Sequence, residues 1–275
     1  MTYSILNKRI FTAVSILLWM PVFITAILAF FQFDGLKPTI SLAGFHDLSE
    51  WVRIQEILTI AIRALIVSIV STTVAFFISY LLIRLTTEFF QSIFLIAITL
   101  PFLANESVRV FSWQYLLSEN GLLNHFLSRI TLHPVTFFNG TNKWNIYFVM
   151  VITTIPFGIF LCSAALKTIS GTYWKVADDI GLSVTNKLFN IILPLSKFAL
   201  IISTTVIFFI AFSLSSEVNF LGGDTKLSSR NLILSLLSAS KFQAIFSLGF
   251  FIMFTLGIIM LITRGLRLKL NYLKK

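Results

Sequence analysis

The chain has 275 residues, of which 57% are hydrophobic and only 12% charged, and its mean hydropathy is +0.91. Because about a quarter of the residues of an ordinary soluble domain are charged, this composition excludes a water-soluble protein and predicts an all-α polytopic membrane protein. The net charge of +10 is spread along the chain rather than gathered into a basic stripe, which argues against a nucleic-acid-binding protein.

Six apolar stretches are each long enough to cross a hydrocarbon core of about 30 Å as a helix. They fall at 11–31, 61–83, 90–112, 145–166, 197–217 and 244–263. With both termini on the cytoplasmic side, twelve Lys and Arg residues fall in inner segments and seven in outer loops. Since cytoplasmic loops are enriched in Lys and Arg, we predict six transmembrane helices with both termini in the cytoplasm.

The same pattern predicts how the chain is organised. Residues 1–60 hold the first span and an external loop, residues 61–270 hold the main transmembrane domain, and residues 271–275 form a basic cytoplasmic tail. Two prolines, Pro101 and Pro156, interrupt the third and fourth spans. Because proline removes a backbone hydrogen bond, each predicts a kink that either lines or gates a pathway or belongs to ordinary helix packing.

A few ionisable residues fall within or beside the spans, where charge is costly. They are Glu106 and Arg109 in the third span and Glu217 at the outer end of the fifth. With Trp113 and Tyr115 nearby, the carboxylates could hold a cationic substrate by ion pairing and cation–π attraction. Alternatively, Glu106 and Arg109 neutralise each other at a spacing of three residues, and the two aromatic residues belong to the membrane-interface belt.

The segment WKVADDIGLSVTNKLFNIILP at 174–194 is polar between two apolar runs. Tyr173, Val176, Ala177 and Ile180 fall on one face of a helix that Gly181 is placed to end. Ser183 then caps a second short helix that carries Val184, Leu188 and Ile191, and Pro194 fits the first turn of the fifth span. The pattern fits a helix lying at the membrane surface or one that docks on a partner.

This segment resembles a signature of ABC importer permeases, E-A-A-x-x-x-G-x9-I-x-L-P. The match holds at Ala177, Gly181, Ile191, Leu193 and Pro194, whereas Lys175 and Val176 replace the family's Glu and Ala. The resemblance implies a type I importer permease fold over residues 61–270, with a coupling loop at 172–194 that seats in an ATPase subunit. The docking residues that it implies are Tyr173, Val176, Ala177, Asp178, Asp179, Gly181, Leu193 and Pro194.

Two further stretches resemble the permeases of spermidine/putrescine importers of the PotB/PotH type. They are LPFLANESVR at 100–109, with the Gly-Leu-Leu-Asn element at 121–124, and FLGG at 220–223. The resemblance implies a polyamine importer in the bacterial inner membrane, built with a second permease, two ATPase subunits and a periplasmic substrate-binding protein. Relatives with similar permeases import ferric iron, thiamine or anions, and these substrates remain alternatives.

The sequence carries no phosphate-binding G-x-x-x-x-G-K-[ST] loop and no G-x-S-x-G or H-E-x-x-H motif. We therefore predict a transport subunit that is not an enzyme, with no catalytic residues, metal site or bound cofactor. ATP and Mg²⁺ would be used by the partner ATPase. An ion-coupled secondary carrier and a membrane-embedded enzyme or assembly factor are the other function classes, and no inverted repeat or catalytic motif favours either.

Overall fold

The structure is a computed structural model that describes residues 2–34, 37–118, 120–131, 143–169, 171–221 and 228–272. Helices dominate the described residues, and the short strands β1 (Phe31–Asp34) and β2 (Lys37–Ile40) form an antiparallel hairpin. The helices are α1 (Thr2–Phe30), α2 (Ala43–Leu48), α3 (Trp51–Leu85), α4 (Glu88–Thr99), α5 (Glu106–Leu117), α6 (Leu122–Thr131), α7 (Lys143–Lys167), α8 (Gly171–Asp179), α9 (Val184–Lys187), α10 (Leu193–Ser213), α11 (Ser216–Phe220), α12 (Ser229–Ser238) and α13 (Phe242–Tyr272).

Four helical stretches among the described residues are long and apolar enough to cross a bilayer. They are Trp51–Leu85, Trp144–Lys167, Val184–Ser213 and Phe242–Gly265. Two shorter apolar stretches, Ser15–Phe30 within α1 and Glu88–Thr99 (α4), fall in the first and third predicted spans. The structure therefore supports a chain built from membrane-spanning helices, and four of the six predicted spans coincide with such a helix. The fifth, 197–217, is wrong at its outer end, because α10 ends at Ser213 and Glu217 lies on the separate short helix α11.

The third predicted span, 90–112, is wrong as a continuous helix. Helix α4 ends at Thr99, a 3-10 turn covers Leu100–Leu103, and α5 begins at Glu106. Pro101 lies in the first turn of the 3-10 helix, where it cannot donate a backbone hydrogen bond and so stops α4. Asn105 then caps α5 by accepting a hydrogen bond from the backbone N–H of Ser107 at 2.9 Å. By contrast, α7 continues through Pro156.

The chain divides into two compact units. The first consists of residues 1–57 and 231–259. In it, the Nε2 of Gln243 donates to the carbonyl oxygen of Ser41 at 2.6 Å, and the ring centroids of Phe30 and Phe250 lie 5.1 Å apart. Lys241 Nζ contacts Asp47 at 2.8 Å and Glu50 at 2.9 Å, and the hydrogen bonds to these carboxylates, chiefly that of Asp47, raise the pKa of the lysine.

The second unit, residues 58–230 and 260–275, contains α7, α10 and most of α3. Hydroxyl side chains of α3 face α7: Ser71 Oγ lies 2.7 Å from Thr154 Oγ1, and Ser79 Oγ donates to the carbonyl oxygen of Ile159 at 3.1 Å. These contacts need closely approaching backbones, which small residues at a helix interface permit. The predicted tail, 271–275, lies outside the described residues from position 273 onward.

The helices of this unit pack tightly around Gly158. A Cβ at position 158 would lie 2.7 Å from the Cβ of Ala75 and 3.1 Å from the Cδ1 of Ile207, so α3, α7 and α10 meet around a position with no side chain. Two core clusters flank it. One includes Ala64, Val67, Val110, Val149, Met150 and Ala211, and the other includes Phe76, Tyr80, Ile159, Leu166, Leu188 and Ile192.

We expect Gly158→Leu to lower the thermal stability of the detergent-purified chain by about 1–3 kcal/mol or more, because overpacking forces the helices apart. Gly257→Leu is the matched control, since a Cβ at that helical glycine meets nothing within 4 Å. The measurement is the melting temperature of each variant. Equal melting temperatures for Gly158→Leu and the wild type would contradict the close packing.

Candidate functional site

The first candidate region is the segment from α8 to the start of α10, which bends sharply at Gly181. The backbone N–H of Ile180 donates to the carbonyl oxygen of Val176 at 3.1 Å, and Gly181 follows with a φ of +66°. A side chain would be strained in this left-handed conformation, which explains the glycine. The predicted helix stop is confirmed.

A second helix starts immediately after the bend. The hydroxyl of Ser183 accepts a hydrogen bond from the backbone N–H of Asn186 at 3.3 Å, so the predicted cap of α9 is confirmed. Helix α9 runs through a π-helical turn, Leu188–Ile192, into α10. Pro194 cannot donate to the carbonyl oxygen four residues earlier, and the wider π turn relieves the clash that its ring would cause there.

Apolar side chains of α8 and α9 stand exposed along this segment. Tyr173 and Val176 are each 51% exposed, Ile180 is 64% exposed and Val184 is 63% exposed. One and two turns after Val184, the side chains of Leu188 and Ile192 are buried in a core cluster with Cys162 and Leu166. The segment is therefore anchored in the helix bundle at one end and carries four exposed apolar side chains at the other, Tyr173, Val176, Ile180 and Val184, which we call the exposed stripe.

The predicted docking residues divide between described and undescribed side chains. The side chains of Ala177 and Asp178, like those of Trp174 and Lys175, lie outside the described part of the structure. Asp179 is exposed at the end of α8, Leu193 is half-buried and Pro194 is exposed in the first turn of α10. The exposed stripe is thus the described feature of this segment that could meet a partner.

The second candidate region joins α5 to α11. Arg109 Nη2 lies 3.5 Å from Glu217 Oε1, and the ring centroids of Phe111 and Phe220 lie 5.0 Å apart. The side chain of Glu217 is fully buried and that of Arg109 is 15% exposed. A carboxylate in this position requires a counter-charge, because burial removes its hydration.

The predicted pairing of Glu106 with Arg109 is wrong. Arg109 turns instead toward α11, and Glu106 is exposed in the first turn of α5. A carboxylate in the first turn is stabilised there by the helix dipole, whereas the carboxylate of Glu217 is fully buried and has Arg109 as its counter-charge. The second carboxylate oxygen of Glu217, Oε2, is buried with no hydrogen-bond partner among the described residues.

The two predicted aromatic residues lie on different sides of α5. Trp113 is half-buried against the core cluster around Val110 and packs edge-on against Phe148, with the ring centroids 6.2 Å apart. Tyr115 is largely exposed. A spacing of two residues turns a helix by about 200°, so the structure does not bring Trp113 and Tyr115 to one face.

Buried polar groups on α3 and α7 were not among the predicted site residues. Arg63 is buried in α3, and the hydroxyls of Thr72 and Thr153 are buried with no hydrogen-bond partner among the described residues. An unpaired hydroxyl in this state would gain about 1–3 kcal/mol from a water molecule or ligand. Arg63 could have been identified from the sequence, because it is a charged residue inside an apolar run. Threonines are common in membrane spans, so nothing in the sequence marked Thr72 or Thr153.

In the described ranges, no group of three His, Cys, Asp or Glu side chains is placed to hold a metal ion.

Comparison with known proteins identifies the fold. No family model matches the chain. A chain of the crystal structure of a bacterial alginate ABC transporter, in complex with alginate pentasaccharide-bound periplasmic protein, superposes with a TM-score of 0.66 and 16% identity, over 95% of this chain and 92% of that one. The chain shares the fold of an ABC transporter subunit.

Two further likenesses agree. The crystal structure of a bacterial ABC transporter involved in the import of the acidic polysaccharide alginate gives a TM-score of 0.62 at 16% identity, over 99% of this chain and 96% of that chain. In sequence, the inner membrane ABC transporter permease protein YdcU of Escherichia coli (strain K12) is 23% identical over 182 residues, which is 61% of this chain. The match spans 58% of the length of that relative.

We expect Arg109→Leu to destabilise the protein by about 3 kcal/mol, because it leaves the Glu217 carboxylate buried without a counter-charge. The double variant Arg109→Leu/Glu217→Leu should recover most of this loss, since it removes both charges of the pair. Melting temperatures of the wild type, both single variants and the double variant measure the coupling. Arg129→Leu, at an exposed position of α6, is the control, and a wild-type melting temperature for Arg109→Leu would contradict the ion pair.

Proposed function

We propose that this chain is a permease subunit of an ATP-driven ABC importer in the bacterial inner membrane. The observation that carries the proposal is the bent segment at Gly181, which exposes a stripe of four apolar side chains on a fold shared with ABC transporter chains. An exposed apolar face beside charged residues is what an amphipathic helix presents to a partner's groove. The name of the bacterial relative, an ABC transporter permease, supports the same role.

In this proposal the exposed stripe docks on a partner ATPase. The chain itself carries no nucleotide-binding motif, so ATP binding and hydrolysis belong to two partner ATPase subunits. Movement of the docked segment would be transmitted through α10, because α9, the π turn and α10 form one continuous helical stretch, Val184–Ser213. A second permease subunit would complete the translocation pathway, and a periplasmic protein would deliver the substrate.

We propose a polyamine as the substrate, on the charge of the second candidate region. Glu106 and Glu217 bring two carboxylates and Arg109 brings one guanidinium, so these three side chains carry a net negative charge. The unpartnered Oε2 of Glu217 could accept a hydrogen bond from an ammonium group. The structural relatives concern alginate, which their descriptions call an acidic polysaccharide, and an anion would be repelled by this net charge.

The docking proposal predicts that charge in the exposed stripe breaks the complex. Each apolar side chain buried on the ATPase contributes about 1.5 kcal/mol or more, so Val176→Asp/Ile180→Asp should lower ATPase affinity more than tenfold. The measurement is the amount of ATPase recovered with the tagged chain from solubilised membranes. Ser238→Asp, at an exposed polar position of α12 outside the docking segment, is the control and should keep the ATPase bound. A wild-type chain that repeatedly purifies without an ATPase would contradict the proposal.

The substrate proposal predicts uptake of labelled spermidine or putrescine by membrane vesicles that contain the complete importer and its binding protein. Glu217→Gln should reduce this uptake at least tenfold, because it removes the charge that attracts the amine, whereas Glu88→Gln at an exposed position of α4 should not. Uptake of iron, thiamine or an acidic oligosaccharide without polyamine uptake would overturn the choice of substrate. Loss of uptake with an uncoupler at constant ATP would instead indicate an ion-coupled carrier.

A further inference from the structure

A cavity of about 560 Å³ opens between the last turns of α7, the first turns of α10 and α13 near Arg264. It lies within the second unit, and its lining includes neither the exposed stripe nor the pair Arg109 and Glu217. Its wall is formed largely by small and apolar side chains, including Ala165, Ala199, Ile202 and Met260. The cavity is therefore large enough and apolar enough to accept part of a hydrocarbon chain.

The hydroxyl groups in the cavity wall do not change this character. Ser196 Oγ donates to the carbonyl oxygen of Ile192 at 2.8 Å, Thr168 Oγ1 to that of Ala165 at 2.7 Å, and Thr263 Oγ1 to that of Met260 at 2.9 Å. Each hydroxyl hydrogen is thus used within its own helix. A polar solute would find few free donors here, whereas a hydrocarbon chain loses nothing by contact with such a wall.

The rim of the cavity is basic. Arg264 itself lines the cavity, and the Nζ of Lys197 lies 5.3 Å from the ring centroid of Phe198, another lining residue. Lys167 is exposed at the end of α7, next to Thr168 in the wall. Among the described residues, none of those that line the cavity is acidic. The combination of an apolar wall and a basic rim is complementary to an acyl chain with an anionic headgroup.

We propose that this cavity binds one anionic phospholipid, with an acyl chain against α7 and α10 and the headgroup phosphate at Arg264 and Lys197. Basic pockets between membrane helices near a membrane surface hold anionic headgroups, and each Lys or Arg there adds attraction. Long basic side chains extend their charged ends to the headgroup level while their methylene stems cover apolar surface. The site requires that the chain lies in a bilayer, and it does not rest on the proposed import function.

The test is native mass spectrometry of the full chain, with any subunits that co-purify, titrated in detergent with phosphatidylglycerol or phosphatidylcholine. We expect one tightly bound phosphatidylglycerol and much weaker binding of phosphatidylcholine. Arg264→Gln and Lys197→Gln should each weaken phosphatidylglycerol binding about fivefold, and the double variant about 25-fold. Added salt should weaken the binding of the wild type, since exposed charges are screened.

Two further variants separate the parts of the site. Ala199→Phe fills the apolar wall and should reduce binding of the lipid while leaving both basic residues in place, and size-exclusion chromatography checks that it folds. Arg129→Gln removes an exposed charge on α6 and should leave lipid binding unchanged.

Three outcomes would overturn the proposal. The first is equal binding of the two lipids, which would mean a non-selective apolar surface. The second is a double variant that keeps wild-type affinity. The third is displacement of the lipid by inorganic phosphate at equal ionic strength, which would assign the rim to free anions, whereas lipid that stays bound in phosphate supports the site.

Discussion

A polar group that this chain buries is costly unless it finds a partner inside the protein, because the hydrocarbon around the spans offers none. Some hydroxyls of the second unit meet that constraint through close approach of the helices, whereas those of Thr72 and Thr153 have no partner among the described residues. Hydroxyls of Ser71 and Ser79 reach α7 directly, which is possible only because Gly158 and Ala75 let the backbones come near. The positions of α5 and α11 against α7 depend in turn on this packing, since Val110, Val149 and Val218 share one core cluster.

The same constraint explains why Glu217 and Arg109 are found together. Neither charge could be buried alone, and Glu217 is fully buried on a short helix that immediately follows a span. The ion pair connects segments 108 residues apart in the chain, so it ties α5 to α11 and fixes where the charge of the region lies. The Oε2 atom of Glu217 has no hydrogen-bond partner among the described residues. A purely structural ion pair would not need this free acceptor, whereas a substrate-binding group would use it.

Local signals in the sequence predicted the local structure well. Gly181 and Ser183 act within their own turns, through a left-handed φ and a side-chain cap, and both were identified correctly. Hydropathy placed the long spans for the same reason, because burial in lipid acts on every residue of a helix. The break between α4 and α5 was missed as a break, although Pro101 was recognised, because the sequence does not reveal that Asn105 would start a new helix.

Contacts between segments far apart in the chain could not be predicted from the sequence. The spacing of three residues pointed to Glu106 as the partner of Arg109, whereas in the structure the partner is Glu217, a buried carboxylate that no local pattern connects to Arg109. The π turn at Leu188–Ile192 was also missed, since it depends on how Pro194 is accommodated in a helix that continues without a loop. The cavity beside Arg264 could not be predicted either, because three helices far apart in sequence form its wall.

Because α9, the π turn and α10 are continuous, the stretch Val184–Ser213 can move as one stiff rod. Its 30 residues correspond to a rod about 45 Å long at the usual rise of a helix. One end carries an exposed apolar residue of the bend at Gly181, and the other ends three residues before α11, which holds Glu217. If such a rod tilts by about 5° around one end, the other end moves by about 4 Å, a displacement larger than the 3.5 Å that separates Arg109 from Glu217. Leverage along one helix could thus open or close an ion pair at the far side of the bundle.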